Sequence, residues 1–216
     1  MTTVAFCRKN QRFCALTRGL EIGSYGLRLG EVEVVLTETH QFIYSLNEIL
    51  NQQIGQRMED ILMPATFSGM LSEFIVRQLS QHSTTLTRNM YHNGHPGLIL
   101  VNAYPGNAVQ YGHEGVEIKT SRYASGWQGH NPENTWLMVF RYHSDPYKPK
   151  KDPRPLESRS PFQVVEVLAA QLEKSDWSAQ GEAQVAVEHQ PPRLSLPGQP
   201  NYAPTGFIGI RALRLR

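Results

Sequence analysis

The residues of this chain best suited to chemistry are Glu117 and Lys119, set two apart in the run Val116-Glu117-Ile118-Lys119. Gly115 to Ser121 alternates apolar and polar side chains, as a strand with one buried face does. Side chains two apart on a strand share a face, with their backbones roughly 6.5–7 Å apart. Glu117 and Lys119 are therefore expected to project together, with Val116 and Ile118 turned to a core. A carboxylate that can hold a divalent ion, with an ammonium beside it, supplies the parts for phosphodiester hydrolysis. The metal polarises the phosphate and acidifies a bound water, and the lysine orients or helps deprotonate that water. The same triplet also suits an exposed strand face closed by a salt bridge, so the surrounding elements must arbitrate.

Those elements begin with Leu27 to Leu36, where Leu27, Leu29, Val32 and Val34 alternate with Arg28, Glu31 and Glu33 about a turn at Gly30. That pattern predicts a hairpin or two short strands. From Gln41 the period becomes helical: Phe42, Leu46, Ile49, Leu50, Ile54, Met58, Ile61 and Leu62 form one stripe, stopped by Pro64. A second stripe, Phe67, Met70, Leu71, Phe74, Ile75 and Leu79, is expected to be a helix capped by Thr66 or Ser68. Strands follow: Leu98–Val101 after the turn His92-Asn93-Gly94, then Gly115–Ser121, then the almost continuous apolar run Trp136–Tyr142, which suits a central strand covered on both faces. Phe162–Leu172 reads as a strand in preference to a helix, because Val164, Val165 and Val167 are β-branched. Gln190–Thr205, with its prolines, predicts an irregular excursion, and the last residues alternate again through Leu213 and Leu215.

This order of two helices, a short strand opened by His95-Pro96, the Glu-x-Lys strand and an apolar strand resembles the PD-(D/E)XK, or restriction-endonuclease-like, superfamily over about residues 41–143. The resemblance implies an α/β fold with a central mixed β-sheet flanked by helices. It implies Glu117 as a ligand of Mg²⁺ or Mn²⁺, Lys119 as the catalytic lysine, and the backbone carbonyl of Ile118 as a further ligand. In that family an acidic residue follows the proline-containing turn and shares the metal; here the position is Gly97. Either a helix carboxylate takes its place, Glu73 ahead of Glu59, within about 6 Å of Glu117, or the protein keeps the fold and the DNA-binding surface without cutting. Glu114 has the wrong strand parity to share the face of Glu117.

The loop after the triplet carries Arg122 for a phosphate, Gln128 and Asn131 for base edges, and His130 for a phosphate or the water network. An ordinary loop with a packed Trp127 is the alternative. His92, His95 and His113 lie nearby without zinc spacing. Between Asp145 and Pro161 an arm rich in Pro and Lys offers Lys148, Lys150 and Lys151, with Arg154 and Arg159, to a phosphate backbone; such an arm is not expected to pack.

The whole is expected to be one domain of 216 residues: N-terminal strands over 1–40, a nuclease-like core over 41–143, the arm over 145–161, and a C-terminal strand and tail over 162–216. A net charge of +2 leaves any polyanion-binding face to local clustering. Cys7 and Cys14 have no companions at zinc spacing and read as reduced thiols of a cytoplasmic protein, and no apolar run approaches a membrane span. The activity expected is Mg²⁺-dependent cleavage of double-stranded DNA in a restriction, defence or mobile-element setting, by a homodimer or a subunit of a larger nucleoprotein complex. The alternatives are a non-cleaving DNA-binding or assembly subunit of the same fold, and a protein-interaction module without nucleic acid.

Overall fold

The computed structural model describes residues 21–22, 25–123 and 134–174, with the strand segments 185–186, 209–212 and 214–215. Two residues at each side, β1 (Glu21–Ile22) and β2 (Leu27–Arg28), pair antiparallel and lead directly into α1 (Leu29–Ile54). The hairpin expected over Leu27–Leu36 is thus a helix from its third residue on. Its buried positions, Leu29, Val32, Val35, Leu36, Thr39 and Ile43, recur at three and four, while Val34 is 44% exposed. The start is fixed by Glu31, whose carboxylate accepts the Arg28 N–H at 2.7 Å.

α1 ends at Gly55, which takes the left-handed conformation (φ 66°) that closes a helix, so the long stripe expected from Gln41 to Leu62 is broken in two. A single turn, α2 (Met58–Ile61), precedes α3 (Pro64–His82). Pro64 does not stop a helix; it occupies the first turn of α3, where its missing N–H costs nothing, and Met63 is the cap residue in place of Thr66 or Ser68.

The remaining strands are β3 (Leu86–Arg88), β4 (Leu98–Leu100), β5 (Val116–Ser121), β6 (Thr135–His143), β7 (Gln163–Leu172), β8 (Val185–Ala186), β9 (Gly209–Ala212) and β10 (Arg214–Leu215). Six of them form a mixed sheet in the order β3-β4-β5-β6-β7-β9, parallel at β5–β6 and β7–β9 and antiparallel elsewhere. β10 pairs with β8 separately. The excursion expected over Gln190–Thr205 and the two cysteines lie outside the described residues.

One sheet face carries Val116, Ile118 and Thr120 in register with Trp136, Met138 and Phe140. The apolar residues among them join Leu71, Ile75 and Leu79 of α3 and Val32, Val35 and Ile43 of α1 in a single core. Thr120 donates to the Ser68 carbonyl at 2.7 Å and receives Ser72 Oγ at 3.2 Å, so α3 lies directly over β5. On the opposite face Ile99, Leu137, Val139, Leu168 and Ala170 are 0–2% exposed, so β6 is buried on both sides, as its apolar run demands. No helix among the described residues is long and apolar enough to cross a membrane.

Candidate functional site

Glu117 and Lys119 project together from the face of β5 opposite α3, and their side chains meet: Lys119 Nζ lies 2.6 Å from Glu117 Oε1. The other oxygen, Oε2, receives the backbone N–H of Gly97 at 3.0 Å and lies 3.1 Å from His95 Nδ1. Glu117 is 8% exposed and His95 4%. Burial by itself pushes the Glu117 carboxyl up. The hydrogen bond from His95 and the charges of Lys119 and His95 outweigh it and hold the group at about 2. The carboxylate is therefore ionised and enclosed by N–H donors.

The turn that carries these partners is assembled from several loops. His95 donates its N–H to the Gln110 carbonyl at 2.9 Å and accepts Gly112 N–H at 2.6 Å. Asn89, itself buried, donates through Nδ2 to the carbonyls of Pro96 (3.1 Å) and Val109 (2.8 Å). The close approach of Pro96 to β5 depends on Gly115, whose φ of 141° suits only glycine and whose added Cβ would collide with Leu98 O and Pro96 Cγ. Gly97 is different. A Cβ there would meet only Val76 Cγ2 at 3.4 Å and Glu117 Oε2 at 3.8 Å, ordinary contacts. The position thus has room for a side chain, and any carboxylate placed there would adjoin Glu117.

The structure does not bring Glu73 or Glu59 to Glu117. Glu73 sits on α3 and pairs with Arg88 at 2.9 Å, its side chain 69% exposed. Glu59, on α2, is buried and accepts Asn47 Nδ2 at 3.0 Å. The helices cover the Val116, Ile118 and Thr120 face, whereas Glu117 projects from the other, and the α3 side chain beside the Gly97 turn is the apolar Val76. Ile118 buries its side chain under α3, and its peptide belongs to a strand laddered to β6 along all its residues and to β4 only at Val116.

A hard dication such as Mg²⁺ or Mn²⁺ takes a shell of oxygens. This donor set does not fit one. It offers a single carboxylate with both oxygens held by N–H groups, a neighbouring ammonium, and a glycine where a second acid is needed. Nor do three His, Cys, Asp or Glu groups cluster suitably for a metal anywhere among the described residues. The arrangement is instead a buried ion-pair cluster joining β5 to the His95–Gly97 turn. His95, which the sequence places only near the triplet, is part of this cluster, and its position two residues before Gly97 in the proline turn is the signal that marks it.

Of the surrounding candidates, Arg122 follows β5 half-buried, within electrostatic reach of the Tyr142 hydroxyl. Gln128, His130 and Asn131 lie outside the described residues. Lys148, Lys150 and Lys151 are exposed. The arm that carries them does pack, against expectation. Arg159 donates to both oxygens of Asp60 at 2.6 and 3.0 Å, and each side chain of the pair is 4% exposed. Because β5 and β6 run parallel, Arg122 and the arm leave the sheet at the same end.

Comparison with family models, with curated proteins and with solved structures finds no match to this chain.

Proposed function

We propose that this chain binds double-stranded DNA through a restriction-endonuclease-like α/β fold and does not cut it. One observation carries the reading: the Glu117 carboxylate is closed off by Lys119, His95 and the Gly97 N–H, with glycine in the place of the second acid. Glu117 then serves to fasten the turn to the sheet and to hold Lys119. Lys119, Arg122 and the lysines of the arm supply cations for phosphate contact. Such a subunit would work in the cytoplasm, alone, as a homodimer or within a larger nucleoprotein complex.

The test is supercoiled plasmid incubated with Mg²⁺ or Mn²⁺ against an EDTA control, with duplex binding followed by fluorescence anisotropy across a salt series. Salt-sensitive binding without metal-dependent cleavage is the expected result. The shared face of Glu117 and Lys119 favours a second reading, a Mg²⁺-dependent endonuclease of restriction, defence or mobile-element type. Nicking that requires metal and disappears in Lys119→Ala would establish that reading and sink the first.

A further inference from the structure

We propose that the segment 145–161 is a preformed grip for the phosphate backbone of a DNA duplex, held in shape by Asp60; this rests on the DNA-binding reading above. Prolines at 146, 149, 153, 155 and 161 keep the segment out of regular structure, yet its neck is fastened to α2. Besides Arg159, the Asp60 carboxylate accepts the backbone N–H groups of Tyr147 at 2.6 Å and Arg57 at 2.9 Å. The Arg57 guanidinium reaches in the other direction, to the carbonyls of Ser160 (2.9 Å), Leu156 (3.1 Å) and Arg159 (3.3 Å). Arg159 also lies over the Tyr147 ring, 5.6 Å from its centroid.

The acids near the tip are engaged within the arm. Arg154 pairs with Asp145 at 3.0 Å and Asp152 at 2.7 Å, and Asp145 also accepts the Ser160 N–H at 3.0 Å. The N–H groups of Lys151 and Asp152 both bond the Lys148 carbonyl, which folds the tip into a tight turn. That turn presents Lys148, Lys150 and Lys151 to solvent. Lys150 and Lys151 make no ion pair among the described residues, whereas Lys148 lies within the field of Asp152. Glu157, exposed on the short turn 156–158, is the arm's remaining acid. The exposed turn itself, Lys148 to Lys151, is lysine and proline alone, and the Tyr147 ring at its base is held under Arg159, an arrangement that suits the phosphates of a nucleic-acid backbone. Holding the ammonium groups in place before contact removes the ordering cost that a free arm would bear on binding. Asp60 touches no DNA in this arrangement; it is a positioning residue.

The experiment measures duplex affinity of the full chain between about 50 and 200 mM salt. Each phosphate contact contributes about 0.9 to the slope of log affinity against log salt. The triple variant Lys148→Gln, Lys150→Gln, Lys151→Gln should lose about 2.7 from that slope. Over the fourfold salt range this amounts to about 40-fold less salt sensitivity than the unmodified protein has. Asp60→Asn should lower the slope as well, and trypsin should cleave after Lys150 and Lys151 faster while far-UV circular dichroism is unchanged. If Asp60→Asn fails to fold, Arg57→Met, which removes the three carbonyl contacts alone, should give the same pair of effects. A triple variant with the slope of the unmodified protein would overturn the grip and leave the DNA-binding reading standing. Full affinity in a variant whose arm is rapidly cleaved would overturn the role of Asp60. An unmodified protein that binds phosphatidylserine vesicles and no duplex would overturn both readings.

Discussion

Placing an acid at position 97 tests the site most directly. A Cβ on Gly97 meets Val76 Cγ2 at 3.4 Å and Glu117 Oε2 at 3.8 Å, and Gly97 is not among the glycines with positive φ, so Gly97→Asp enters with little steric cost. Its cost is electrostatic. Two carboxylates about 4 Å apart repel by about 4 kcal/mol at an effective dielectric of about 20. Lys119 and His95 offset part of this, leaving about 2 kcal/mol of destabilisation in EDTA. For a chain of this size that is a fall in Tm of about 4–8 °C. The same pair of carboxylates is what a dication needs. With a Kd of about 1 mM, about 10 mM Mn²⁺ stabilises the variant by about 1.4 kcal/mol and restores about 3–5 °C. Thermal melts with and without metal on both proteins read this out. The unmodified protein should melt at one temperature in EDTA and in Mn²⁺. Identical melts of variant and parent in EDTA would refute the placement of residue 97 beside Glu117. A parent stabilised by Mn²⁺ as much as the variant would refute the conclusion that its own donors do not fit a metal.

Three further outcomes follow from the geometry. The Glu117 carboxyl is lowered from 4.5 to about 2, so its contribution to stability is complete above pH 4.5 and is lost as pH falls through 2. Urea midpoints between pH 2 and 6 should show a loss of about 3 kcal/mol across that window, absent in Glu117→Gln. His40 Nε2 accepts the Val164 N–H at 3.0 Å, and burial lowers its pKa against the opposing hydrogen bond to Leu36. Stability should thus be full above 6.5 and fall as pH drops below it; an NMR titration of His40 at or above 6.5 would contradict this. Phe67 is buried edge-on against Tyr142 and Phe162, with centroids at 5.5 and 5.9 Å, and Phe67→Ala should cost about 3–5 kcal/mol in urea unfolding.

What the chain determines locally it states clearly. The alternation at Val116–Ser121 sets which side chains share a face, because strand periodicity is a property of the backbone and needs no partner. The apolar run of Trp136–Tyr142 likewise encodes burial on two faces, and the stripe of Phe67–Leu79 encodes a helix. Over Leu27–Leu36 the alternation reads as strand, yet Val32, Val35 and Leu36 also satisfy the helical period, and so short a segment does not separate the two. The Glu31 cap and the burial of Val32, Val35 and Leu36 in the core resolve it.

Tertiary structure decided the rest. A helix's apolar stripe says that it packs, not against which side of the sheet, so nothing in the sequence of α3 placed Glu73 away from Glu117. The enclosure of Glu117 joins groups 20 residues apart and depends on the approach that Gly115 permits. The arm's composition argues against packing. Its anchor, Asp60 with Arg159, spans 99 residues, and such a pair becomes favourable only when the fold has brought both charges out of water together.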